Sequence, residues 1–445
     1  MISGITNGMV MQRGTDNTCE IWVTSDEVLT EVLTHDGQSA RAEMIDGRYR
    51  ITGIRCGGPY SLNVNGHVYN DIYVGDVWIL AGQSNMQGCG RDIDIEYNEN
   101  PAIRAYYMQN EWGIADNPLH EPGRAVYKVH TEVLGAKRGF SKRCVGPGLY
   151  FAKRMYDLTS VPQGLICCAH ADTSLSQWDP DSAQCGADKS LYAAMLERFK
   201  SNGSNIRGVF WGQGCNDARI QFYKDYTEKT LNLFKCMRRD FGRCVPIVYM
   251  QISRCVRSAA GGDIRPDTWN SVQEQQRTLC MKIENADVIP TVAYELSDRY
   301  HLSGKSQKII GRSAAESMFN LIHGKLYGCL GGIKLEGIEL FRDEIAPDEL
   351  SSIIVTYKNV KGSLSGGERV MGFSLSETPD NFDGDNIISC TADGNRVIIV
   401  VGVAAVKLSD MYLSYGIGFD PPCNILDGEK RSLPMFGPIL IKSVL

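Results

Sequence analysis

The chain opens with short runs of strand-forming residues broken by turn residues. Thr18-Cys19-Glu20-Ile21-Trp22-Val23-Thr24 and Tyr60-Ser61-Leu62-Asn63-Val64-Asn65-Gly66 are examples, and they predict a small β-rich module over residues 1–70. From Tyr73 the texture changes. Apolar runs at residues 77–81, 164–169, 208–211 and 247–251 alternate with amphipathic stretches up to about residue 325, the pattern of an α/β domain on a parallel sheet. Each run ends in a polar loop, where such sheets place their sites. A helix follows His301, with Ile310, Ala314, Met318, Leu321 and Ile322 on one face and Gly324 as its stop. Strand texture returns at residues 352–357, 397–401 and 411–415, so a second β-rich module closes the chain. The predicted division is 1–70, 71–325 and 326–445. No repeat or low-complexity linker separates the parts, which points to modules packed together.

Composition narrows the partners. A chain of 445 residues exceeds the usual size of one core. Apolar residues make up 43% and charged residues 22%, as in soluble globular proteins, and no segment approaches the roughly 20 apolar residues that span a bilayer. A membrane is therefore not an expected partner. The net charge of −6, with Lys and Arg dispersed, offers no basic stripe for nucleic acid. Fifteen cysteines, an odd number, suit a reducing compartment, and the first residues lack the basic-then-apolar pattern of a secretory signal. The expected location is cytoplasmic, with a homo-oligomer left open. The Cys167-Cys168-Ala169-His170 group lies in an apolar strand whose successive residues face opposite ways, so buried thiols are expected there rather than zinc.

Acyl transfer needs an exposed nucleophile, a base, an acid that orients the base, and donors facing the oxyanion. Ser84, in Gly82-Gln83-Ser84-Asn85-Met86, follows an apolar strand, and Gly82 lets the backbone turn sharply. A serine there also suits a helix cap, and the pentapeptide alone does not separate the two roles. Among seven histidines, His301 stands three residues after Asp298 in Asp298-Arg299-Tyr300-His301-Leu302-Ser303-Gly304. An acid and an imidazole so spaced can meet through Nδ1 and leave Nε2 for the serine. His120, His130 and His170 have no Asp three residues earlier. The loop Gly212-Gln213-Gly214-Cys215-Asn216-Asp217 offers Gln213 or Asn216 as an oxyanion side chain, and the loop from Ala171 offers a backbone N–H. Cys215 is expected to be a neutral buried thiol rather than a nucleophile.

Together these segments resemble the sialate O-acetylesterase and acetylxylan esterase family of the SGNH hydrolase superfamily. The matching residues run from Val74-Gly75-Asp76-Val77-Trp78 through Gly82-Gln83-Ser84-Asn85-Met86 to Ala115-Asp116-Asn117-Pro118-Leu119-His120 and Gly146-Pro147-Gly148. They continue in Thr173-Ser174 with Trp178, Arg207 to Gly214, and Asp298 to Gly304. Gly8-Met9-Val10-Met11-Gln12-Arg13 and Leu413-Ser414-Tyr415-Gly416 extend the likeness toward both ends.

The resemblance implies a flavodoxin-like, three-layer SGNH core flanked by the β-rich modules. It implies Ser84 as nucleophile, His301 as base and Asp298 as its partner, with no metal or organic cofactor. The oxyanion donors would be the N–H groups of Ser84 and Ala171 plus Gln213 or Asn216, and Gln83, Asn85 and Trp178 would contact substrate. The implied activity is removal of acetyl groups from sugar hydroxyls, foremost O-acetylated sialic acid, with xylan- or mannan-derived oligosaccharides as the alternative and a non-catalytic carbohydrate-binding protein as the rival of another class. Arg91, Arg254 and Arg299 are the candidates for pairing with a sugar carboxylate. Two positions depart from the family: Cys215, where Glu is usual, and Ala171-Asp172, where a Gly-Gly pair is common. A left-handed backbone at Ala171 would be strained.

Overall fold

The computed structural model describes residues 2–91, 96–135, 144–256, 262–342, 346, 349–379 and 386–441. The chain forms two compact units, residues 1–213 with 229–248, and residues 214–228 with 249–445. The division cuts across the α/β stretch instead of following the changes in sequence texture.

In the first unit, β1 (Gly57–Val64) and β2 (His67–Gly82) form a hairpin. Its turn residues Asn65 and Gly66 both have positive φ, the tight geometry that Asn-Gly favours. The predicted strand at 77–81 is therefore the end of a sixteen-residue strand. Its first half pairs antiparallel with β1, and its second half pairs parallel with strands from the α/β region. One strand thus belongs to both parts, and no linker lies near residue 70.

The helix α1 (Ser84–Gln87) follows directly. The remaining elements are β3 (Ile103–Tyr106), α2 (Gly148–Thr159), β4 (Gln163–Cys167) and β5 (Gly208–Gly212). In sheet order β3, β4, β2 and β5 lie side by side, all parallel, with Cys167 opposite Leu80 and Gly212 opposite Gly82. From Ile72 onward β2 is buried at every position, as is every residue of β4 and β5. Strands covered on both faces read as unbroken apolar runs, which is why these were visible in the sequence. Phe151 of α2 packs edge-on against Trp78 with ring centroids 5.2 Å apart and lies 5.4 Å from Phe210, so this helix covers β2 and β5. Parallel register brings the ends of β2, β4 and β5 to one edge, and the loops after them share that edge.

Strand β6 (Ile247–Met250) contains the division between the units. In the second unit the Gln251 N–H donates to the Ile289 carbonyl at the end of β7 (Ala286–Ile289). The helix predicted after His301 is α3 (Gly304–His323), capped by the Ser303 hydroxyl, which accepts the Ser306 N–H at 3.2 Å. Ile310, Ala314 and Met318 are fully buried, and Gly324 ends the helix at φ 75°. Four antiparallel strands then pair in the order Lys334–Arg342, Ser351–Lys358, Arg396–Val401 and Ile387–Asp393. Burial alternates along the inner two, putting Ile353, Val355, Tyr357, Val397, Ile399 and Val401 into one core. Among the described residues no helix is long and apolar enough to cross a membrane.

Candidate active site

Ser84 sits where β2 turns into α1. Gly82 makes the turn at φ 131°, and a Cβ there would lie 2.2 Å from the Gly212 carbonyl oxygen. The same carbonyl accepts the Gln83 N–H at 2.7 Å, and the Gly82 carbonyl accepts the His170 N–H at 2.9 Å, so both flanking strands hold the turn. The helix cap is Gln83, not Ser84: Ser84 is the first helical residue, and no side chain is spent on capping. This removes the capping role from the serine. At the first helical position the N–H has no acceptor within the helix.

The second unit carries an acid–base pair built on a short loop. Asp298 Oδ2 accepts from His301 Nδ1 at 2.7 Å, while Oδ1 accepts the backbone N–H groups of Tyr300 at 3.0 Å and His301 at 2.9 Å. The Ser297 N–H donates to the His301 carbonyl at 2.8 Å, and Leu296 and Leu302 bridge the base of the loop. Partial burial works against ionisation of Asp298, but the hydrogen bonds from Tyr300 and His301 together hold its carboxyl below the usual range. A carboxylate on Nδ1 fixes the tautomer that leaves Nε2 as the acceptor. Tyr300 lies edge-on to the imidazole, with ring centroids 4.4 Å apart.

The expected oxyanion donors fare differently. The Ala171 N–H is directed onto Gln87 Oε1 at 2.6 Å, so it is engaged within the protein rather than presented to a ligand. The positive φ of this loop falls on Asp172, at 64°, a residue whose short polar side chain tolerates that conformation, and Ala171 is spared the strain. Gln213 is buried, with Nε2 donating to the Thr173 carbonyl at 3.1 Å. Asn216, in the second unit, lies half-buried in the short turn Cys215–Asp217.

Of the expected substrate contacts, Gln83 and Asn85 flank Ser84 and are buried. Trp178 is fully enclosed: its indole N–H donates to Thr173 Oγ1 at 3.0 Å and its ring stacks edge-on against Trp211. It shapes the loop from beneath and offers no surface to a sugar, which corrects its assignment as a contact residue. Arg254 pairs with Asp420 and donates to the Tyr294 carbonyl, whereas Arg91 and Arg299 are exposed. Burial pushes the Cys215 thiol up to about 12, so it is neutral at ordinary pH. Cys168 rises to about 12 by the same cause.

Behind the loop lies a group of imidazoles that sequence reading set aside for want of a nearby Asp. His130, on a π-helical turn at Val129–Val133, meets His170 with the two Nδ1 atoms 3.1 Å apart. One Nδ1 must donate and the other accept, so at least one of the two rings is neutral. Burial holds His130 well below its ordinary value. His120 is only 3% exposed, and burial pulls it down to about 4, against an opposing pull from the Leu80 and Gln87 carbonyls. The unfolded chain takes up this proton near pH 6.5 and the folded chain only near 4. Folding free energy is thus full above pH 6.5 and falls on acidification, by about 3 kcal/mol at pH 4. Urea unfolding at pH 7 and pH 4.5 should show a smaller loss in His120→Asn than in the parent. An equal loss in both would assign the acid sensitivity elsewhere.

A family model described as carbohydrate esterase, sialic acid-specific acetylesterase, matches residues 74–320. No curated protein matches. A carbohydrate acetylesterase from Xanthomonas citri has a similar structure, with a TM-score of 0.71 and 18% identity over 97% of this chain and 98% of that one. A protein from Arabidopsis thaliana follows at 0.43 and 24% identity, covering 55% of this chain and 98% of that one. NanS gives 0.40 and 13%, covering 56% and 97%. The first likeness establishes a shared fold: an α/β core with a mostly parallel sheet, flanked by antiparallel sheets.

Proposed function

Because the chain belongs to the carbohydrate esterase family of sialic acid-specific acetylesterases, and is thereby a carboxylic ester hydrolase acting on acetylated sugars, we propose that Ser84, His301 and Asp298 are its catalytic triad. The observation that carries this reading is the 2.7 Å bond from His301 Nδ1 to a carboxylate already held by two backbone N–H groups.

Ser84 Oγ attacks the acetyl carbonyl while His301 Nε2 takes its proton. The tetrahedral oxyanion is received by the Ser84 N–H and by the side-chain amide of Gln213 or Asn216. As the C–O bond to the sugar breaks, His301 returns the proton to the leaving hydroxyl. Water, deprotonated by the same imidazole, then releases acetate from Ser84.

Sialic acid is the substrate that the family description names, and its carboxylate calls for a cation. A neutral acetylated oligosaccharide of the xylan or mannan type is the second reading, and it is favoured by the commitment of Arg254 to Asp420. Acetate release from a panel of acetylated sugars separates the two. A fluorophosphonate probe tests the triad itself: an activated serine is labelled, and peptide mapping should place the adduct on Ser84. An unlabelled protein would instead support the rival reading of a carbohydrate-binding protein on an inactive scaffold.

A further inference from the structure

In the second unit, residues 251–256 follow β6 and meet the loop of Asp298 and His301 at two points. Near the foot of the loop, Arg254 Nε donates to the Tyr294 carbonyl at 3.3 Å, and at its tip the Val256 N–H donates to the Arg299 carbonyl at 2.7 Å. The second contact falls on a telling peptide. The Arg299 carbonyl and the Tyr300 N–H belong to one trans unit, so they lie in one plane and point opposite ways. That N–H donates to Asp298 Oδ1 at 3.0 Å, and Asp298 Oδ2 accepts from His301 Nδ1 at 2.7 Å. A continuous hydrogen-bonded chain thus runs from Val256 through the peptide and the carboxylate to the imidazole. Bonds in such a chain polarise one another, and the plane of the peptide sets the direction of the N–H that the acid receives. Residues 251–256 are themselves anchored near the end of the chain: Arg254 pairs with Asp420, and the Cys255 N–H donates to the Phe419 carbonyl at 2.7 Å. The neighbouring Gly418 is held by the Asn270 side chain at both its N–H and its carbonyl, at 2.9 Å and 3.1 Å.

We propose that Arg254 is a positioning residue for the acid–base pair: held by Asp420, it keeps the Val256 N–H on the Arg299–Tyr300 peptide and so fixes the donor that Asp298 receives. The ion pair contributes little to folding, because the Arg254 and Asp420 side chains keep 26% and 47% of their surface exposed and pairs so exposed add little stability. Its effect is on direction, since a hydrogen bond weakens steeply as it bends and a turned peptide would loosen the carboxylate that sets the tautomer of His301. This inference rests on the reading of His301 as the catalytic base.

Arg254→Ala in the full chain should keep a Tm close to that of the parent and lower kcat for an aryl acetate about tenfold, with KM little changed. Arg254→Lys, which restores a cation beside Asp420, should recover most of that loss. Ring ¹⁵N shifts of His301, assigned by their absence in His301→Ala, supply a readout apart from turnover. In Arg254→Ala the Nδ1 shift should move toward that of an imidazole sampling both tautomers, and in Arg254→Lys it should return. In an active parent, a change in only one of the two readouts, or in neither, overturns the proposal: a fall in kcat with unmoved ring shifts would mean that Arg254 acts elsewhere, as on the substrate. If Arg254→Ala does not fold, Asp420→Asn, at an exposed position, decides by the same two readouts. A parent that neither hydrolyses the ester nor takes up a fluorophosphonate sinks the triad instead, and the ring shifts alone then decide whether Arg254 positions the pair.

Discussion

Replacing Ser84 with alanine is expected to lower kcat for acetyl-ester hydrolysis by about 10⁴-fold or more, with little change in folding. The change removes one oxygen from a buried position at the start of a helix where the side chain performs no capping, and alanine favours helix. Thermal unfolding should therefore stay close to that of the parent while turnover disappears. Near-normal hydrolysis of an aryl acetate by Ser84→Ala would end the serine mechanism. Loss of turnover accompanied by a large fall in Tm would show that the residue matters to the fold instead.

Gly82→Ala should be the most disruptive single-methyl addition near the site. At φ 131° an L-residue has almost no allowed conformation, and the new Cβ would meet the Gly212 carbonyl oxygen at 2.2 Å. The carbonyl cannot withdraw, because it accepts the Gln83 N–H that starts the turn. A loss of about 3 kcal/mol or more in folding free energy is expected, with turnover falling even in the folded fraction as Ser84 is displaced. Chemical unfolding and kcat measured together check this. A variant with parental stability and turnover would mean that the turn is far more compliant than its packing suggests.

Both residues were legible in the sequence, and for a shared reason. A glycine after an apolar run and an acid three residues before a histidine are local patterns; the bonds of the second close within a few residues, whereas the turn at Gly82 is held by Gly212 and His170. The parallel strands were legible because burial on both faces leaves unbroken apolar runs. What escaped depends on distant pairings. The bond from Ala171 to Gln87 joins residues 84 positions apart, and nothing in either segment announces it. Trp178 looked available because an aromatic residue beside a site loop serves equally well as a contact or as a floor; its burial is decided by Trp211 on β5. The change of texture expected at residue 70 falls inside the strand His67–Gly82, which leaves the tight Asn65-Gly66 turn and runs on into the parallel sheet.

The loop that holds Asp298 and His301 has a consequence for how robust the chemistry is. The bonds that join the acid to its base, together with the Leu296–Leu302 bridge, close within seven consecutive residues, and the Val256 N–H ties the loop to a distant segment through the Arg299 carbonyl at 2.7 Å. Short closures carry little entropic penalty, so the carboxylate faces its imidazole at a high effective molarity. Orientation of the base relative to its acid is thus a local property of the loop. A graft of Leu296 to Leu302 onto another scaffold would still need a donor in place of the Val256 N–H to hold the Arg299 carbonyl as it stands here.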